Sequence, residues 1–119
     1  MRQFCIVAAV AAGGLFTPAL AEAKMTVALE APWDGKRVPK GQQCRLHGGQ
    51  GATPPMTVAG LPKGTASVVV AFNDLDYQPL SRNGGHGMIG FPVKGATAKL
   101  PAVPGMSAKL PAGAVVVAK

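Results

Sequence analysis

Acidic side chains are scarce in this sequence: Asp and Glu number 5 against 12 Lys and Arg in 119 residues. After Asp34 the only carboxylate side chains are Asp74 and Asp76, in a stretch that carries ten basic residues from Lys36 to Lys119. Such a surface favours solubility and weak attraction to anionic lipid or nucleic acid. Aromatic residues make up only 5% of the chain, the basic residues are scattered singly without aromatics between them, and no nucleic-acid-binding motif is present. Nucleic acid is therefore excluded as a partner, while an anionic membrane surface is retained. Helical periodicity is also missing, and the length leaves room for one small domain rather than several domains or a large cleft. What the chain has in quantity is Gly (16) and Pro (11), with 48% hydrophobic and 14% charged residues. That balance belongs to a globular, turn-rich protein rather than a disordered one.

Residues Met1–Ala23 have the layout of an export leader: Arg2, an apolar run from Phe4 to Phe16, then Thr17-Pro18 and two small-x-small cleavage sites, Ala19-Leu20-Ala21 and Ala21-Glu22-Ala23. The apolar run is shorter than the roughly 20 residues a membrane span needs. Cleavage is expected, leaving residues 24–119 as a periplasmic or secreted domain. Cys5 precedes most of the apolar run instead of following it, so it is no lipoprotein cysteine. Its removal leaves Cys44 alone, which excludes an intramolecular disulfide; burial in the core is expected for such a thiol.

Short β-branched runs between Pro and Gly predict strands at Met25–Leu29, Met56–Ala59, Ala66–Phe72, Met88–Val93, Ala96–Leu100 and Ala114–Ala118. Ala66–Phe72 is almost continuously apolar and predicts a central strand buried on both faces. Leu61-Pro62-Lys63-Gly64-Thr65 forms the turn that feeds it. Ala31–Pro55, with Trp33, Cys44 and His47, reads as a long loop that is either functional or held by its own packing. The final run, Gly113–Ala118, is an uncovered apolar strand, as in a fold that continues past it.

Chemistry is concentrated in Phe72-Asn73-Asp74-Leu75-Asp76-Tyr77-Gln78-Pro79-Leu80 and the following Ser81-Arg82-Asn83-Gly84-Gly85-His86-Gly87. Asp74 and Asp76 alternate, so a persisting extended chain points both carboxylates to one side. Asn83-Gly84-Gly85 permits a reversal that returns His86 toward them. One arrangement sets Asp74 against one ring nitrogen of His86, fixing its tautomer and leaving the other nitrogen as a donor for an anion. The competing reading is that the aspartates only cap turns and His86 is a solvated loop residue.

Taken in order, Pro54-Pro55-Met56, Gly60-Leu61-Pro62-Lys63-Gly64-Thr65, the strand into Asp74-Leu75-Asp76, and Gly84-Gly85-His86 resemble the phosphatidylethanolamine-binding protein family, in its bacterial Raf-kinase-inhibitor-like branch. The likeness spans Ala31 to Val93. It implies an all-β fold, a β-sandwich with a small anion pocket, in which Asp74, Asp76 and His86 match pocket residues and Pro54 and Pro55 shape the wall. The implied activity is non-enzymatic binding of a phosphate-type anion or phospholipid headgroup, with no cofactor. Leu75 stands where the family has proline, Gly87 where an aromatic is common, and Arg45-Leu46-His47 where an acidic residue usually follows the cysteine. No Gly-x-His-x-Tyr segment is present, so the resemblance also implies a domain lacking its C-terminal part.

Two other classes compete. Cys44 and His47 have a C-x-x-H spacing, and with His86 and the aspartates they suggest a metal-binding periplasmic protein; the order of Cys, His and Met does not follow that of blue-copper proteins. A small hydrolase needs a nucleophile, and neither Ser67 nor Ser81 lies in a nucleophile-elbow pattern.

Overall fold

The computed structural model describes residues 3–11, 24–111 and 113–118. The fold is all-β. Its strands are β1 (Gln3–Ala11), β2 (Thr26–Leu29), β3 (Met56–Ala59), β4 (Thr65–Asp74), β5 (Met88–Pro92), β6 (Thr97–Leu100) and β7 (Val115–Ala118). They form two antiparallel sheets, one ordered β1-β4-β5-β7 and the other β2-β3-β6. Among the described residues no helix is long and apolar enough to cross a membrane.

The longest strand follows directly from its sequence. Pro62-Lys63-Gly64-Thr65 makes a tight turn in which the Thr65 N–H donates to the Pro62 carbonyl at 3.1 Å, and Gly64 takes the positive φ of +85° that this turn type requires. The β-branched run that follows favours extended backbone. Strand alternation buries Val68, Val70 and Phe72 to 4% exposure or less, whereas Ser67, Val69 and Ala71 on the other side are only half-buried. β4 is thus central in its sheet, as expected, but one face alone is fully buried, which corrects the expectation of burial on both.

The inner row of β4 joins Phe91 of β5 and Met56, Val58 and Leu100 of the other sheet in one apolar cluster. Leu61, Val93, Val103 and Ala114 close its margins. Each fully buried side chain of this size contributes about 1.5–3 kcal/mol. Both sheets therefore depend on the same core.

The long segment after β2 is held by bonds of its own. Trp33 is buried, and its N–H donates to the Glu30 carbonyl at 3.0 Å. Farther along, Thr53 exchanges two bonds with Val103: its N–H reaches the Val103 carbonyl at 2.9 Å, and its hydroxyl accepts from the Val103 N–H at 2.8 Å. Asp34 ties down the first turn by accepting from the N–H groups of Lys36 (2.8 Å) and Arg37 (3.1 Å). Cys44 is exposed, against the expectation of core burial. It precedes a 3-10 turn, Arg45–His47, that contributes no buried residue.

Residues read as a leader supply β1. Gln3–Ala11 pair antiparallel with β4, from Gln3 opposite Asp74 to Ala11 opposite Thr65, and Val7 and Ala9 pack against the core. Both cleavage sites lie in residues 12–23, outside the described residues. At the other side of this sheet, Val115, Val116 and Val117 remain 46–56% exposed although β7 pairs with β5.

Two measurements check this account. Met56→Ala should destabilise the chain by about 2–5 kcal/mol in urea unfolding, because Met56 is 1% exposed, whereas Met106→Ala at 75% exposure should stay within about 0.5 kcal/mol. The N–H groups of Lys36 and then Arg37 hold the Asp34 carboxyl below its ordinary 3.8. Its stabilising effect is complete above the unfolded value and fades as pH falls through the lower folded value; carboxyl NMR titration should place the Asp34 midpoint below 3.8.

Candidate functional site

The candidate site is built on the end of β4. Asn73 and Asp74 are its last two residues, 4% and 6% exposed respectively. The chain then leaves the extended conformation: the Asp74 Oδ1 accepts from the Asp76 N–H at 3.0 Å, and the Asp74 carbonyl accepts from the Tyr77 N–H at 3.3 Å. A carboxylate that bonds the backbone two residues on closes a turn. Asp74 is consequently buried and Asp76 exposed, so the alternation expected of an extended Asp74-Leu75-Asp76 ends at its first residue.

The loop proceeds through a 3-10 turn at Gln78–Leu80, with Pro79 in its first positions, and the Ser81 hydroxyl donates to the Gln78 carbonyl at 2.9 Å. The return leg is fastened to β4 by three bonds. The buried Asn73 side chain accepts from the Gly84 N–H at 2.9 Å, eleven residues away. The His86 N–H donates to the Phe72 carbonyl, and the Phe72 N–H donates to the Gly87 carbonyl, each at 2.9 Å. Two residues thus oppose Phe72, as in a β-bulge, which re-aims a side chain at a strand end. His86 and Arg82 are both exposed on this fastened loop.

Glycine is required at two points. A Cβ on Gly85 would lie 2.8 Å from the Leu80 Cα, and Gly84 is buried at φ +67° with the Met88 side chain 2.5 Å from where a Cβ would stand. The Gly84-Gly85 pair lets the return leg lie against the turn at Leu80.

The structure brings Asp74 and His86 to the same strand end, two residues apart along β4. No hydrogen bond joins their side chains among the described residues, so the Asp74 carboxylate serves the turn to Asp76 and does not orient the His86 ring. Pro54 is buried and Pro55 half-buried at the entry to β3 in the other sheet, where the Pro55 carbonyl accepts from the Glu30 N–H at 3.0 Å. No hydrogen bond among the described residues ties either proline to the loop of residues 75–87. Cys44 and His47 lie together at the 3-10 turn of the earlier loop, and among the described residues no three His, Cys, Asp or Glu are grouped so as to hold a metal ion. The residue missed by sequence reasoning is Asn73. Its signal was position: an amide side chain in the continuation of an apolar strand needs a partner when buried.

No protein-family model matches the chain, and neither a curated protein nor a solved structure matches it.

Removing the Asn73 amide leaves the Gly84 N–H buried without its acceptor, so Asn73→Ala should cost about 1–3 kcal/mol in unfolding free energy. Hydrogen exchange at Gly84 and His86 should accelerate selectively in that variant. Unchanged exchange at both amides would show that the loop is held in some other way.

Proposed function

We propose that the chain is an exported, non-enzymatic binding protein that takes a phosphate-type anion or phospholipid headgroup at the loop following β4, in the manner of the phosphatidylethanolamine-binding protein family. It works without a cofactor, in the periplasm or outside the cell. The observation that carries the reading is the fastening of an exposed histidine: His86 and Gly87 are both bonded to Phe72 of the central strand. A loop whose backbone is held in place before the ligand arrives loses little main-chain freedom on binding.

Arg82 lies on the same loop, four residues before His86, and adds a guanidinium whose planar fork suits phosphate oxygens. A chain with ten basic residues and two acidic side chains after Asp34 also draws anions toward its surface. Asp74 acts in this reading through the backbone, by setting the turn from which the loop departs, and Asp76 lies at the loop's exposed start. Pro54 and Pro55 belong to the wall only by the family resemblance. The all-β architecture is compatible with the sandwich that the family uses. Hydrolysis is disfavoured by the Ser81 hydroxyl, which is spent on the Gln78 carbonyl inside the loop.

Calorimetric titration with inorganic phosphate and with phosphoethanolamine tests the reading. Heat of binding should appear for the wild type, weaken at least tenfold in affinity for His86→Ala and Arg82→Ala, and weaken with added salt as exposed charges are screened. Equal heats for wild type and His86→Ala would sink the assignment.

A further inference from the structure

The strand that covers one edge of β4 is made from the part of the chain that the leader reading removes. β1 pairs with β4 over nine residues, and Val7 and Ala9 rest on the core beside Val68 and Val70. Without residues 1–23, β4 becomes an outer strand of its sheet, with β5 on one side and an unpaired row of N–H and C=O groups on the other. Sheet edges that persist in solution are ordinarily short, charged or covered. The second sheet follows this rule: β2 has four residues between Lys24 and Glu30, and β6 has four with Lys99 among them. β4 breaks it, since its ten residues carry no charge from Thr65 to Asn73.

We propose that this edge is an interface for a second copy of the chain, occupied by β1 in the precursor and vacated when the leader is removed. The proposal rests on the leader reading and is independent of the anion site. The occupant must match a ten-residue edge that is uncharged over its first nine residues, and among the described residues after position 23 the other strands have four or five residues. β4 of another copy matches in length and character. Antiparallel pairing about a two-fold axis through Val70 sets Val68 opposite the second copy's Phe72 and Val69 opposite its Ala71. Residues of equal parity then face each other, so the inner row of both strands stays on the core side. Asp74 falls opposite Ala66, which places the two carboxylates at opposite ends of the interface. A contact of this kind is self-complementary and closes at two copies.

Sedimentation velocity on three samples tests it. The full chain with its leader should be a monomer. The full chain carrying Ala8→Pro, which removes an N–H that faces β4 opposite Val69, should show a twofold rise in molar mass with its β-type circular dichroism retained. The exported chain, whose intact mass reports whether it begins at Glu22 or Lys24, should also be a dimer, and a solubilised peptide of residues 3–11 should return it to monomer. A monomeric exported chain, or a dimer indifferent to the peptide, overturns the proposal even if Ala8→Pro fails to fold. If the mass shows the leader intact, the leader reading fails instead, and a folded, monomeric Ala8→Pro chain overturns the interface.

Discussion

Burial of Val68, Val70 and Phe72 along one side of β4 is the interaction on which the molecule depends. These residues lie in one cluster with Met56, Val58 and Leu100, so the same row holds the two sheets together. The turn at Pro62–Thr65 sets where the strand starts, and the Asp74 turn sets where it stops. Between them a single alternating pattern decides which side chains face the core. A slip of one residue would turn Val69 and Ala71 inward and expose the valines and Phe72. The loop that carries His86 is bonded to Phe72 and Asn73, so its position is fixed by the same register.

Six strands were legible in the sequence because β-branched runs end at Pro and Gly, and each begins and ends within two residues of its expected bounds. Two features were not legible, for different reasons. Cys44 was assigned to the core on the habits of free cysteines, but its place in the chain is set by a 3-10 turn that lies outside the core. The Asp74–Asp76 pair was read with strand geometry, whereas a carboxylate at a strand end competes for the backbone ahead of it and closes a turn. β1 was hidden by chemistry common to two roles. An apolar run such as Phe4–Phe16 suits a leader and a buried strand equally, and periodicity does not separate them.

Much less of the candidate site was legible than of the fold. The sequence placed Asp74 and His86 near one another and left two roles open for the aspartate, partner of the imidazole or cap of a turn; backbone bonds bring the two residues together, and the carboxylate takes the turn. The amide of Asn73 was the missing element. A side-chain acceptor that reaches the Gly84 N–H closes the loop without using the carboxylate, which leaves Asp74 free to serve its own turn. The glycines at positions 84 and 85 are then explained by space as much as by flexibility, since a Cβ on either would meet Met88 or the backbone of Leu80.

The loop that carries His86 and the edge covered by β1 meet at one end of β4. Gln3 is opposite Asp74 and Phe4 is opposite Asn73, so the start of β1 lies beside the residues that launch and fasten the loop. That edge of β4 is therefore the backbone neighbour of two buried polar residues. Buried polar groups depend strongly on their surroundings, because the low local dielectric strengthens a satisfied bond and raises the cost of an unsatisfied one. Under the proposed exchange the strand beside Asn73 and Asp74 changes, whereas the bonds that fasten the loop, from Gly84 to Asn73 and from His86 to Phe72, stay within one copy. The edge and the presentation of His86 share β4 but no hydrogen bond, since Phe72 spends its N–H and C=O on Gly87 and His86, on the side away from β1.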